Sequence, residues 1–216
     1  MELTNENIQN LRQEYRAAEL AESDVDKNPV IQFGKWFKEA LDALLYEPNV
    51  MTLATANSSG KPSARILLLK GFDENGFVFF SNYASRKGKE LAENPQASMV
   101  FFWPELERQV RIDGLITKVK EEVSTAYFHS RPKGSQIGAA ASPQSTVIPG
   151  REILQERVNE LSAAYADQEV PKPEHWGGYL LEPIHMEFWQ GRPSRLHDRI
   201  TYTYENGTWN INRLAP

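Results

Sequence analysis

From residue 32 the apolar positions recur three and four apart. QFGKWFKEALDALLYE places Phe33, Trp36, Phe37, Ala40, Leu41, Leu44 and Leu45 at helical spacing, which predicts a helix over 32–47 ended by Pro48. The pattern then becomes that of strands separated by turns. VMTLATA (50–56), SARILLLK (63–70), FVFF (77–80), ASMVFFW (97–103) and ERQVRIDGLITKV (107–119) read as strands, with NSSGKP and GFDENG as turns. ASMVFFW is apolar throughout, so burial on both faces is expected. ERQVRIDGLITKV alternates as far as Gly114, where a phase slip with a bulge or bend is expected. Helices are predicted at 85–94, with Ser85 as N-cap, and at 121–130, 133–142 and 151–168. In the last, Ile153, Leu154, Val158, Leu161 and Tyr165 share a side. IHMEFWQ (184–190) returns to strand, and ITYTYENGTWNINRL predicts a hairpin turning at Asn206-Gly207. The residues therefore predict a mainly β fold, a small barrel with peripheral helices. A polar arm over 1–28 precedes a single domain over 29–216.

Composition narrows the function. The 216 residues suffice for one sizeable core, and a net charge of -5 disfavours a nucleic-acid binder. The absence of cysteine removes disulfides, thiolate metal sites and a cysteine nucleophile, and fits a cytoplasmic protein. The start, MELTNENIQN, gives no expectation of a signal peptide, and no apolar run is long enough to span a membrane. No dinucleotide, P-loop or nucleophile-elbow motif is present, and the four histidines show no metal-ligand spacing.

Cationic segments carry the remaining signal. In EFWQGRPSRLHDR (187–199), an extended RLHDR puts Arg195, His197 and Arg199 on one face, with Trp189 at the same parity. Such a wall suits an anion or an electron-rich ring; the alternative is a surface strand with scattered ion pairs. SRKGK puts Arg86 and Lys87 in the first turn of a helix, against its dipole, which an anion at that terminus would offset. Arg65 and Lys70, five apart in RILLLK, face opposite ways unless Lys70 has left the strand. HSRPKGSQ joins two helices with His129, Arg131, Lys133 and Ser135, Gln144 and Ser145 offer neutral donors, and Gln109 shares a strand face with Arg111. Several separate anion-binding segments point to more than one phosphorylated ligand.

At this point the residues resemble a family. EFWQGRPSRLHDR is similar to the signature of the pyridoxamine 5'-phosphate oxidases. RILLLK, SNYASRKGKELAENP, LERQVRIDG, YFHSRPKGSQIGAAAS, HWGGY and NRLAP follow the family's pattern in order, and LRQEY matches near the start. The resemblance implies an FMN-binding split β-barrel and a homodimer with FMN at the subunit interface. It implies oxidation of pyridoxamine 5'-phosphate and pyridoxine 5'-phosphate to pyridoxal 5'-phosphate. Oxygen accepts the electrons and gives hydrogen peroxide, with ammonia released from the amine. Arg65, Ile66, Leu67, Leu68, Leu69, Lys70, Phe80, Ser81, Arg86, Lys87, Gln144 and Ser145 are implied to hold FMN, with Gln109, Trp189 and Arg199 contacting the flavin region. Lys70, Tyr127, Arg131 and Ser135 are implied to hold the substrate phosphate. Arg195, Leu196 and His197 would cover the substrate ring as the catalytic wall, with His197 either a general base or only a hydrogen-bonding group. Arg12, Gln13, Glu14 and Tyr15 would close as a lid. Phe80-Ser81 and Glu47 depart from the family's usual Tyr-Thr and Asp. The rival readings are another split-barrel flavoprotein such as a flavin reductase, or a non-catalytic binder of FMN or pyridoxal phosphate.

Overall fold

A computed structural model describes residues 4–11 and 14–216. Among these the elements run α1 (Asn5–Gln9), α2 (Pro29–Asp42), β1 (Val50–Ala56), β2 (Pro62–Leu68), β3 (Gly71–Asp73), β4 (Gly76–Asn82), α3 (Arg86–Glu93), β5 (Gln96–Trp103), β6 (Arg108–Lys118), α4 (Glu121–Ser130), α5 (Lys133–Ala141), α6 (Arg151–Ala164), β7 (Trp176–Gln190), β8 (Asp198–Glu205) and β9 (Thr208–Arg213). Strand order is β2-β1-β5-β6-β7-β4-β3, with β8 on β7 and β9 on β8. The fold is mainly β with peripheral helices, as the sequence predicts.

The chain divides into two compact units. The first comprises Met1–Pro48, Val100–Ile112 and Ile184–Pro216, the second Asn49–Met99 and Asp113–Pro183. In the first, Phe33 of α2 is fully buried and meets Phe101 edge-on at 5.1 Å, while Trp36 meets Phe188 at 5.2 Å. Arg108 lies over the Trp36 ring at 4.4 Å and pairs with Glu39. The arm is fastened here through Arg213, which binds Glu22 at 2.7 Å, the Leu20 carbonyl at 2.9 Å and Asp198 at 2.6 Å. In the second unit, Phe128, Ile137, Val170 and Trp176 form a core on which Val158, Leu161 and Tyr165 of the α6 side pack.

Several boundaries differ from expectation for identifiable reasons. Helix α2 stops at Asp42, not residue 47. Leu45 N–H reaches the Ala40 carbonyl and Leu44 N–H the Leu41 carbonyl, a Schellman closure with Leu44 left-handed at φ 55. Leu44 is consequently 89% exposed and not part of the core. Helix α6 ends at Ala164, and Tyr165–Gln168 form turns. Strand β2 ends at Leu68, and Lys70 lies beyond it, its N–H bonded to the Val78 carbonyl. GFDENG is not only a turn, since Gly71–Asp73 pairs with Gly76–Val78. Strand β5 is buried on one face only, with Phe102 53% exposed. Strand β6 keeps its phase through Gly114, which takes the buried position between Ile112 and Ile116. A β-carbon there would lie 2.1 Å from the Glu182 carbonyl oxygen, so close backbone approach, not a bulge, is its reason. Strand β7 begins at Trp176, eight residues before the expected 184, because Gly177-Gly178 hide it from propensity. The hairpin turns at Asn206 (φ 53) and Gly207 (φ 82), as predicted.

Phe33→Ala is expected to destabilise by about 3–5 kcal/mol, whereas Leu44→Gly is expected to stabilise by about 0.5 kcal/mol by relieving the left-handed β-carbon. Urea unfolding of both variants checks the opposite signs.

Candidate functional site

The β1–β2 pairing sets Leu53 opposite Arg65 and Thr55 opposite Ser63. The Arg65 guanidinium therefore lies along its own hairpin. It donates to the Thr55 hydroxyl at 2.6 Å, the Leu53 carbonyl at 3.2 Å and the Ser63 hydroxyl, and meets Glu90 at 3.4 Å. Glu90 is buried on α3 and also accepts from Thr55, Ser63 and Arg86, the last one helical turn before it. Burial pushes its carboxyl up, but hydrogen bonds from Ser63, Thr55 and Arg86 outweigh this and hold it at about 2.

Lys87 is different. Its side chain is buried, and its ammonium donates to Gln144 Oε1 at 2.8 Å, Ser81 Oγ at 3.1 Å and Ser85 Oγ at 3.2 Å. Among the described residues no carboxylate lies within ion-pair distance. Burial and then the Arg65 charge bring its pKa down to about 8, against a smaller opposing pull from Glu90. So of the two cations in the first turn of α3, Arg86 has its charge compensated and Lys87 does not.

Ser81 and Gln144 also line a cavity of about 610 Å³ in the second unit. One side is Ile66, Leu67, Leu68 and Lys70; another is Tyr127, Arg131, Ser135 and Gly138. Among the described residues no Asp or Glu lines it. Phe80 stacks on Tyr127 at 3.9 Å and on Trp176 at 5.5 Å, giving an aromatic wall backed by the Phe128 core. Arg131 lies 4.9 Å over the Trp176 ring, and its Nη1 is buried without a hydrogen-bond partner. Burial lowers its pKa. The segment is fixed from behind by Gln136, whose amide donates to the carbonyls of Arg131 at 2.7 Å and His129 at 3.3 Å. Such a cavity has the charge and shape for a flat ring carrying phosphate: aromatic faces, an orphan guanidinium donor and a buried ammonium behind its wall.

Within the first unit, Trp189 pairs with Arg199 across β7 and β8. Glu187, buried, accepts a fork from Arg199 at 2.8 and 3.0 Å and lies 3.6 Å from Arg111. Gln109 stands on β6 two residues before Arg111. RLHDR is not extended, which corrects the parity expectation. Pro193–Arg195 is a 3₁₀ turn, Ser194 and Arg195 are left-handed at φ 56 and 63, and β8 starts only at Asp198. Proline and the turn break the count of faces. His197 nevertheless reaches Trp189, ring centroids 4.6 Å apart, through the turn. Arg195 and Leu196 are exposed. Tyr15 meets Trp189 at 5.6 Å and His197 at 5.7 Å, edge-on to both. Glu14 pairs with Arg16 at the surface. Arg12 and Gln13 lie outside the described residues.

Thus Ile66, Leu67, Leu68, Lys70, Phe80, Ser81, Tyr127, Arg131, Ser135 and Gln144 share one cavity. Arg65 and Arg86 are joined through Glu90, Leu69 is buried, and Ser145 is an exposed left-handed residue at φ 69. Sequence reasoning passed over Glu90, Glu187 and Trp176. Glu90 was accessible as the i+4 partner of Arg86; Trp176 was masked by the glycines that follow it.

Two family models match the chain. The model described as Pyridoxamine 5'-phosphate oxidase covers residues 37–164. The model described as Pyridoxine 5'-phosphate oxidase C-terminal dimerisation region covers residues 176–216. The pyridoxine/pyridoxamine 5'-phosphate oxidase of Paraburkholderia phymatum is 60% identical over 97% of this chain and 99% of its own. The protein of that name from a Nostoc species is 57% identical over 97% and 98%. Among solved structures, PhzG from Burkholderia lata 383 in complex with tetrahydrophenazine-1-carboxylic acid is 31% identical, with TM-score 0.87 over 93% of this chain and 100% of its own. A pyridoxamine 5'-phosphate oxidase-related, FMN binding protein from Nostoc punctiforme is 17% identical with TM-score 0.68 over 92% and 100%, a likeness of fold. The mainly β split-barrel class is therefore established.

A phosphate that meets the Lys87 ammonium is expected to bind more weakly as pH rises through about 8, where the folded protein releases that proton. Without phosphate the sign reverses: the unfolded chain holds the lysine proton to higher pH, so stability rises from about pH 8 upward. Calorimetric titration with inorganic phosphate across this range, on wild type and Lys87→Met, checks the slope and its loss in the variant.

Proposed function

The chain belongs to the pyridoxamine 5'-phosphate oxidase family, and we propose that it oxidises pyridoxamine 5'-phosphate and pyridoxine 5'-phosphate to pyridoxal 5'-phosphate, with FMN as cofactor and oxygen as acceptor. Hydrogen peroxide is the second product, and ammonia leaves from the amine substrate. The observation that carries this reading is the aromatic cavity, lined by no carboxylate among the described residues, with an orphan guanidinium nitrogen on Arg131 and a buried ammonium, Lys87, behind its wall. Both charges fit dianionic phosphate groups.

FMN supplies the hydride-accepting chemistry when bound. The chain's own residues bind and orient. Arg65, Arg86, Lys87, Gln144 and Ser145 hold the cofactor mostly at its phosphate, with Glu90 keeping Arg65 and Arg86 in register. Ile66 to Lys70, Phe80 and Ser81 flank it, and Gln109, Trp189 and Arg199 contact the flavin. Lys70, Tyr127, Arg131 and Ser135 clamp the substrate phosphate, which fixes one end of a small ring. Arg195, Leu196 and His197 would cover that ring and Arg12, Gln13, Glu14 and Tyr15 would close over it, with the bound FMN as the group that would take up the hydride from the exocyclic carbon. A homodimer accounts for the C-terminal dimerisation region and for strand side chains such as Ile66, 63% exposed, and Phe102, 53% exposed in the single chain. No helix among the described residues is long and apolar enough to cross a membrane; we place the enzyme in the cytoplasm.

Anaerobic pyridoxine 5'-phosphate is expected to bleach the yellow flavin spectrum of the purified protein, and air to restore it as pyridoxal 5'-phosphate accumulates. A flavin that never bleaches sinks the oxidase reading in favour of a reductase or binder. Arg195→Ala is expected to lower kcat/KM about 100-fold with flavin still bound; loss of the flavin instead shows that the residue belongs to the cofactor site.

A further inference from the structure

His197 is held from behind by an unusual partner. The backbone N–H of Arg192 points at its Nδ1, at 3.1 Å. A backbone N–H can only donate, so Nδ1 must present a lone pair, and the proton of the neutral ring sits on Nε2. Histidines that work as general bases are wired the other way: Nδ1–H donates to a carboxylate, which leaves Nε2 free to accept and stabilises the imidazolium. We propose that His197 is locked as the neutral Nε2–H tautomer and serves as a hydrogen-bond donor to the ligand, never as the base that removes a proton from it.

The surroundings favour the same state. The loop that carries the Arg192 amide is tied down on both sides: Gly191 N–H donates to the Glu107 carbonyl at 2.8 Å, and the Arg192 guanidinium holds the Ala18 carbonyl at 3.3 Å and Glu19 at 2.6 Å. The carboxylate of Asp198, next in the chain, is taken up by Arg213 at 2.6 Å, by Leu20 N–H at 3.0 Å and by Arg192 at 3.5 Å. It is spent on these partners and is not the Nδ1 acceptor. Tyr15 and Trp189 pack on the ring, and Arg195 and Asp198 are the charges that act on it. Burial first, then the Arg195 charge, lower the His197 pKa against a weaker pull from Asp198. Burial, the Arg192 amide and the Arg195 charge thus disfavour the imidazolium that a general base must become, with Asp198 opposing them.

That Nε2–H faces substrate rests on the function proposed above; the tautomer does not. Long-range ¹⁵N–¹H NMR of the flavin-loaded protein with labelled histidine tests it directly. Four histidines are present, and the signal lost in His197→Asn identifies the one of interest. At neutral pH we expect a pyridine-type Nδ1, a protonated Nε2 and a titration midpoint below the ordinary value of about 6.5. A proton on Nδ1, or an imidazolium at neutral pH, overturns the proposal whether or not the protein turns over. Kinetics give a second reading in an active enzyme. His197→Asn keeps an N–H donor, and kcat within about tenfold of wild type is the loss expected for one altered hydrogen bond. A loss of about 10²–10⁴ with flavin bound, as for a missing general base, overturns it. An inactive protein with the Nε2–H tautomer supports the lock and removes the oxidase reading alone.

Discussion

Burying a cation away from any carboxylate runs against desolvation, which costs several kcal/mol per ion. The second unit does so at Lys87 and, for one guanidinium nitrogen, at Arg131. Among the described residues, Lys87 has neutral acceptors alone, from Gln144, Ser81 and Ser85. Arg131 lies against Trp176 and leaves one nitrogen without a partner. The neighbouring structure makes these positions tenable. Glu90 neutralises the adjacent Arg65 and Arg86, so the local repulsion on Lys87 is limited to what a single carboxylate cannot cancel. The Phe80–Tyr127–Trp176 stack supplies a polarisable face for the Arg131 plane. In the function proposed above, Lys87 meets the phosphate of the cofactor and Arg131 that of the substrate, so each unpaired charge favours its own anion.

The two units solve the problem of a reactive surface differently. The cavity side uses shape and unpaired cations. The turn from Pro193 to His197 uses backbone: two left-handed residues aim the side chains, and a single amide fixes the histidine ring. Glu187 adds a rigid fork for Arg199, so the guanidinium is oriented before any ligand arrives.

Much of this was legible in the sequence where local rules and tertiary structure agree. The Asn206-Gly207 hairpin, the Ser85 cap and the strand 50–56 follow from turn chemistry, capping and alternation. The first half of β7 was not, because Gly177 and Gly178 carry no β-carbon for reasons of packing: one on Gly177 would lie 2.0 Å from the Tyr83 hydroxyl. Such a requirement belongs to Tyr83, 94 positions earlier in the chain, and leaves no local signature. The left-handed Leu44 is similar, since nothing near it announces a helix end where glycine is the usual residue. In the site, cations were conspicuous because they violate composition and dipole rules. Their carboxylate partners, Glu90 and Glu187, were inconspicuous because an acidic residue on a helix or strand violates nothing. The resemblance supplied residue roles that spacing alone left open, and the turn at 193–195 shows why: parity fails wherever the backbone leaves the strand.

Arg213 joins the arm to the last strand, holding Glu22, Leu20 and Asp198 with one side chain. Asp198 in turn holds Arg192, whose amide sets His197. In genetic terms, a stop codon at position 213 deletes only four of 216 residues, all far from the cavity in sequence. It nevertheless removes the clasp of the arm and frees the carboxylate next to the histidine, so a truncation distant from the cavity in sequence reaches the Pro193–His197 turn.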